Sequence, residues 1–392
     1  MRIAQVAPLF ESVPPRGYGG TERVVAWITD ELVRLGHEVT LFASGDSRTR
    51  ARLIPACRQA LWHDPQCRDT QPHHIRLMEL VFQNASRFDV IHFHTDYLHF
   101  PLARRHAVPN VTTQHGRLDL PDIWPLFADF PEIPLVSVSD AQRAPVPESN
   151  WQATVHHGLP RDLHTFSDKP GDYLAFLGRF SPEKRPDRAI EIARRAGLPL
   201  RIAARVYADE RPYFEREIEP LLRENASFVE WIGEVGGREK DAFLAGARAL
   251  LFPIDWPEPF GLVMIEALAC GTPVIAWRNG SVPEVIEDGV SGFVVDSIDG
   301  AVEAVRDLDS LARHDCRLAF ERRFTAARMA REYEHVYRHL AARWPRPHAV
   351  AHTTGRIHES SSARTRAGVR IGGHHGWGAV THAPLSGPRQ SS

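Results

Sequence analysis

Residues 249–276 read ALLFPIDWPEPFGLVMIEALACGTPVIA. Two short apolar runs, Ala249–Phe252 and Pro273–Ala276, are bounded by proline and glycine, as buried strands are. Between them Gly261 opens an apolar helix whose free amides face the end of the first strand. Strand, helix and strand in so short a stretch predict parallel pairing with a crossover helix. Within this unit Glu258 precedes the helix and Glu266 lies inside it. A carboxylate inside an apolar stretch is costly unless something pairs with it. At 1.5 Å per helical residue the two lie roughly 10 Å apart.

The same alternation runs outward in both directions and predicts parallel sheets covered on both faces. In the first half the expected strands are Arg2–Ala7, Glu38–Phe42, Val90–His94, Asn110–Thr113 and Leu135–Ser139. The clearest helix is Glu22–Leu35, with Thr21 as its N-cap and Gly36 as its stop. The second half offers Tyr173–Leu177, Leu200–Ala204, Ser227–Ile232 and Gly292–Val295 beside the two runs already quoted. Two doubly wound domains follow, 1–165 and 172–324. Their boundary falls in RDLHTFSDKPGD at 161–172, where turn residues replace periodicity. An amphipathic helix over 325–343 comes next. Residues 345–392 carry six arginines against one glutamate and few large apolar groups; such a segment is expected to be disordered. A solvated tail is the simple reading of that basic stretch, contact with acidic partners the other.

Composition narrows the function classes. The chain has 392 residues, 43% hydrophobic and 24% charged, with a formal net charge of −2. Those values suit a globular two-domain protein and give no general reason for a nucleic-acid partner. The opening MRIAQVAPLF reads as a strand, not as a signal segment. No apolar run reaches the 18 residues or so that a membrane span needs. Four cysteines in no disulfide-like framework agree with a reducing compartment. A cytoplasmic protein without integral membrane association is expected; peripheral contact stays open.

Four stretches can carry chemistry. PPRGYGGTERVV, after the first strand, brings Gly17, Gly19 and Gly20 to a helix start. Free amides there attract anions, and the alternative is a plain flexible loop. LGRFSPEKRPDRAI places Arg179 and Lys184 near a strand's carboxyl end, where open α/β sheets bind ligands. Arg as a fork and Lys as a point charge suit a diphosphate. Lysine is scarce, three among 47 basic residues, so its use at 184 suggests a specific need. In EPFGLVMIE, Glu258 and Glu266 suit hydroxyl pairs at two ends of a ligand, since both carboxylate oxygens accept. The plainer account is a helix-dipole partner and a salt-bridged helix residue. His92 and His94 share a strand face and read as cleft-lining side chains ahead of a metal pair. Cys57, His63 and Cys67, with His73 and His74, have the elements of a zinc site but the spacing of no common finger. Asp307-x-Asp309 lies in a helical stretch, away from strand tips, and no metal–diphosphate role is assigned to it.

Together GGTE (19–22), DVIHFH (89–94), TTQHG (112–116), LGRFSPEK (177–184), EPFGLVMIEALACGTPVIA (258–276) and GSVPEVIEDGVSGFVVD (280–296) resemble the retaining GT-B glycosyltransferases of family GT4. The resemblance covers about residues 1–343. It implies two Rossmann-like domains facing across a cleft, with the helix after Phe324 crossing back to the first. It implies a nucleotide-sugar donor, UDP on family frequency, and a hydroxyl acceptor, with no metal or other cofactor. Arg179 and Lys184 would contact the diphosphate, Glu258 the transferred sugar and Glu266 the ribose. Amides of Phe260, Gly261 and Leu262 would hold sugar and phosphate. Trp231–Val235 would meet the base, Gly20 the donor phosphate and His115 the reacting sugar. Where the family often has glycine after the loop lysine, this chain has Arg185. A sugar-nucleotide epimerase on this architecture and a non-catalytic nucleotide-sugar binder are the competing readings.

Overall fold

The computed structural model describes residues 1–344 apart from Tyr18. The expected tail, 345–392, lies outside the described residues. The first sheet is built from β1 (Arg2–Val6), β2 (Glu38–Ser44), β3 (Arg52–Cys57), β4 (Val90–Phe93), β5 (Asn110–Thr113), β6 (Leu135–Ser137) and β7 (Trp151–Thr154). Its order is β3-β2-β1-β4-β5-β6-β7, parallel throughout. The second holds β8 (Tyr173–Arg179), β9 (Leu200–Arg205), β10 (Val229–Gly233), β11 (Ala247–Phe252), β12 (Val274–Trp277) and β13 (Gly292–Val295), in the order β10-β9-β8-β11-β12-β13. Both orders are doubly wound. The strand sequence reverses between β1 and β4 in one sheet and between β8 and β11 in the other, and ligands bind outside the carboxyl ends at such points. Two Rossmann-like domains in the GT-B arrangement are therefore present, as the alternation predicts.

The strands that the sequence reading passes over are β3 and β7, one at each edge of the first sheet. RLIPAC carries Pro55, which an edge strand tolerates, and β7 is short and only half-buried. The first helix runs Gly20–Arg34, so Thr21 is not its cap; Gly19 is. Gly36 does end it, at φ +86°.

The helix Ala326–Arg343, capped by the Thr325 side chain on the Arg328 amide, crosses to the first domain. There Met329, Tyr333, Tyr337 and Leu340 pack with Ile3, Val24, Ile28 and Val90. The two crossings between domains run side by side. The Leu159 amide donates to Phe324 O (2.9 Å) and the Ala326 amide to Leu159 O (2.7 Å). Gly158 makes this possible, because a Cβ there would lie 2.3 Å from the Thr325 carbonyl oxygen. Residues 161–172, expected to be the boundary, instead belong to the second domain. Arg317 donates to the carbonyls of Arg161 and His164, Arg313 donates to that of Ser167, and Asp241 accepts from the Thr165 amide. Turn-rich composition marks irregular backbone, not freedom from contacts. Among the described residues no helix is long and apolar enough to cross a membrane.

Candidate active site

The carboxyl ends of the central strands of both sheets face one cleft of about 920 Å³. Gly20, His115, Arg179, Lys184, Glu258, Phe260, Gly261, Leu262 and Glu266 all line it. Widely separated stretches of sequence thus converge because the two switch points face each other. Across the cleft, a Cβ on Gly20 would sit 3.7 Å from the Leu262 side chain.

On the second domain, β8 extends through Arg179, so this side chain leaves from the strand itself. Its guanidinium bonds Glu183 (3.1 Å) and Glu210 (2.5 Å). Burial pushes the Glu210 carboxyl up, and the Arg179 charge opposes that. Lys184 follows in a single 3₁₀ turn, Pro182–Lys184, and forms an ion pair with Glu258. Its ammonium lies 4.9 Å from the Trp256 ring centre and 5.5 Å from that of Phe252. Trp256 Nε1 also donates to Glu258 (3.1 Å). The next residue, Arg185, has φ +52° and ψ +55°. That left-handed conformation costs a non-glycine residue about 1–2 kcal/mol. Here two carboxylates oppose the cost, Asp187 (2.7 Å) and Asp255 (2.9 Å).

Glu258 is held through its backbone. Gly280, at φ +55°, lies so close that a Cβ would come within 2.3 Å of the Glu258 carbonyl oxygen, and the Ser281 amide donates to that oxygen (3.0 Å). Gly261, at φ +79°, caps the helix Leu262–Ala269. Among the described residues the amides of Phe260, Gly261 and Leu262 find no protein acceptor. They are free donors at a helix N-terminus, suited to an anion or a sugar oxygen. Glu266, buried within this helix, pairs with Lys240. Sequence reasoning passed over Lys240, which also lines the cleft. Scarcity of lysine, the argument applied to Lys184, marks it equally.

Of the segment expected to meet the base, Glu234 and Val235 line the cleft, together with Gly236 and Gly237. Trp231 turns instead against Phe180 and Phe214, ring centres 5.4 and 5.1 Å away, and its indole donates to Ala204 O. An aromatic in a strand at a sheet edge covers its neighbours before it meets a ligand.

The first domain contributes Gly19 and Gly20, whose loop leads into the helix start, and Glu22 in the first turn. Burial raises the Glu22 carboxyl to about 7. His115 reaches the cleft after β5. Its ring stacks on His157 (5.3 Å), and Nε2 meets His94 Nδ1 (2.8 Å). Burial holds His115 down to about 3 and His94 well below the usual range, so both are neutral near pH 7. His92 lies deeper and bonds Tyr337 and Thr113. Among the described residues neither it nor His94 belongs to a group of three possible metal ligands. Cys57, His63 and Cys67 do not converge among the described residues; His63 bonds Glu11, and Cys57 the Gln59 carbonyl. The one group of three possible ligands there is His164, Asp241 and Cys270, within 4.8 Å of one another. Asp241 already accepts from His164 Nδ1 and the Thr165 amide, which ties residues 164 and 165 to the second domain. Asp307 ends a helix, and Asp309 bonds Arg248 at the surface.

Two facing Rossmann-like domains with cations, free helix amides and paired carboxylates in the cleft define the class: a GT-B glycosyltransferase. Two family models match, Glycosyltransferase Family 4 over residues 18–143 and Glycosyl transferases group 1 over residues 164–320. The chain belongs to the group 1, family 4 glycosyltransferases. It is 28% identical over 261 residues to D-inositol 3-phosphate glycosyltransferase of Mycolicibacterium vanbaalenii, covering 54% of this chain and 57% of that protein. The first curated relatives are matched over about half their length. Among solved structures, AviGT4, a glycosyltransferase involved in avilamycin A biosynthesis, superposes with a TM-score of 0.66 at 28% identity, covering 87% of this chain and 98% of that one. Anabaena HepE, solved in complex with UDP, shares the fold with a TM-score of 0.65 at 18% identity, covering 86% of this chain and all of its own.

Proposed function

We propose that this chain transfers a sugar from a nucleotide diphosphate donor, UDP-linked by preference, to a hydroxyl acceptor with retention of anomeric configuration. The observation that carries this reading is the pair of lysine–carboxylate contacts flanking a helix start with free amides. Lys184–Glu258 and Lys240–Glu266 put a cation and an acceptor of hydroxyl protons at each end of one donor-sized groove. In this reading Arg179 and Lys184 face the diphosphate, Glu258 the sugar and Glu266 the ribose. Amides of Phe260 to Leu262 hold the phosphate from one side and Gly20 approaches it from the other. His115 contacts the reacting sugar.

No side chain is assigned as a nucleophile. The acceptor oxygen bonds to the anomeric carbon on the face from which the diphosphate leaves, and the acceptor proton passes to the departing phosphate oxygen. Arg179 and Lys184 stabilise the charge that develops there. Those cations supply what a divalent metal supplies elsewhere, so turnover is expected to be unchanged by a chelator. Four cysteines free of disulfides agree with a cytoplasmic setting.

The test is incubation with labelled UDP-, GDP- and ADP-sugars, with and without a panel of hydroxyl acceptors, followed by NMR of the product. Transfer that requires an acceptor and keeps the anomer supports the reading. Isomerised donor without acceptor would favour an epimerase, tight binding without turnover a binding protein, and an inverted anomer would refute retention.

A further inference from the structure

The central strands of a parallel sheet are normally unbroken apolar runs. Here β1 buries Gln5, β4 buries His92 and β5 buries Thr113, all fully inaccessible, with Gln5 and His92 neighbours in register. These side chains form one unbroken chain of polar contacts with His115, His94 and two tyrosines of the helix Ala326–Arg343. His115 Nε2 meets His94 Nδ1 at 2.8 Å, and His94 Nε2 meets Gln5 Oε1 at 2.8 Å. Gln5 Nε2 reaches Tyr337 Oη (3.0 Å), which lies 2.6 Å from His92 Nδ1. His92 Nε2 meets Thr113 Oγ1 (2.7 Å), and Thr113 meets Tyr333 Oη (2.8 Å).

The amide of Gln5 gives the chain its sense. Its oxygen only accepts and its nitrogen only donates. His94 therefore donates from Nε2, which leaves Nδ1 as an acceptor, and His115 must donate to it from Nε2. On the other side Gln5 donates to Tyr337, whose hydroxyl meets His92 Nδ1, and His92 Nε2 meets Thr113 Oγ1. From His115 through His94 and Gln5 to Tyr337 the links run one way, and each histidine is neutral, held low by burial. His115 is then left with a bare Nδ1, which has no protein partner among the described residues, on a side chain that lines the cleft.

We propose that Gln5, acting through His94, is a positioning residue that fixes the tautomer of His115, so that His115 offers the cleft an acceptor for one sugar hydroxyl and not a donor. This rests on the reading of the cleft as a sugar-transfer site. It adds a selectivity: a substrate with a hydroxyl facing Nδ1 is held, and one with only an acceptor there is not.

The test has two arms. In the first, ring-nitrogen NMR of histidine-labelled protein, with the His115 signals identified by their loss in His115→Asn, should show the proton on Nε2. Gln5→Leu should move it partly or wholly to Nδ1. Thr113→Val, an equally buried change farther along the chain, should leave it in place. In the second, Gln5→Leu should lower kcat/KM about two- to tenfold, the worth of one neutral hydrogen bond, with diphosphate affinity unchanged. In a panel of monodeoxy donors, the one that lacks the facing hydroxyl should be insensitive to Gln5→Leu. A wild-type His115 protonated on Nδ1, or ring signals unmoved by Gln5→Leu, would overturn the proposal. The first arm needs no turnover, so absence of sugar transfer with the expected tautomer would remove the functional reading and leave the relay standing.

Discussion

Glu258 and Glu266 differ in what each stands beside, and the difference is measurable. In the free protein each is tied to a lysine, so a donor that enters must exchange those pairs for its own hydroxyls and phosphates. Glu266→Ala removes the contact assigned to the ribose, which the free nucleoside diphosphate still contains. A charge-assisted hydrogen bond is worth about 1.5–3 kcal/mol, so diphosphate affinity should fall roughly ten- to a hundredfold by calorimetry. Glu258→Ala removes a contact to a sugar that the diphosphate lacks, and it frees Lys184. Diphosphate affinity should hold or rise slightly, while transfer falls steeply because a misplaced sugar loses alignment with the acceptor. Equal losses of diphosphate affinity in the two variants would mean that the carboxylates do not divide the donor. The two glutamates were legible in the sequence because a carboxylate in an apolar stretch demands a reason. Their pairing with Lys184 and Lys240 was not, since these lie 74 and 26 residues away in the chain.

The turn that carries Glu258 is held by a second element, the segment after β12. Gly280 sits against the Glu258 backbone at a positive φ, so Gly280→Ala meets both a left-handed backbone and a Cβ within 2.3 Å of a carbonyl. The left-handed conformation alone costs about 1–2 kcal/mol, enough to lower the melting temperature by several degrees. Transfer should fall more than stability does, because relief of the clash moves the Glu258 turn away from Gly261. Near-normal transfer in this variant would show that the position of the turn does not matter. At this scale the sequence was informative for the central strands of both sheets and for the edges of the second, and uninformative at the two edges of the first. β8 and β11 are buried on both faces and appear as plain apolar runs, whereas β3 carries a proline and β7 is short and half-exposed. Gln5 and His92 were visible as residues, but their meaning comes from Tyr337, 332 positions from Gln5, and no local pattern reaches that far.

Across the whole molecule, neither domain completes the cleft. The diphosphate and ribose groups assigned here belong to the second domain, while Gly20 and His115 come from the first. The domains are linked by two strands of chain stitched together at Leu159 and Phe324–Ala326, and by the helix Ala326–Arg343 packed on the first sheet. Residues 161–172 are fixed to the second domain, so any rotation has to be taken up at 155–160 and near Thr325. Donor binding is therefore expected to draw the domains together about that stitch. Small-angle scattering should report a smaller radius of gyration with donor than without, and little change with the diphosphate alone if the sugar supplies the contact to His115. The stitch itself can be tested through Gly158. Its missing Cβ lets the two crossings lie side by side, so Gly158→Val should separate them and change how the domains meet. Diphosphate affinity, carried mainly by the second domain, should largely survive, and transfer, which needs both, should fall at least tenfold as alignment is lost. Identical scattering with and without donor would remove closure. Full transfer in Gly158→Val would show that the stitch does not set the geometry of the cleft.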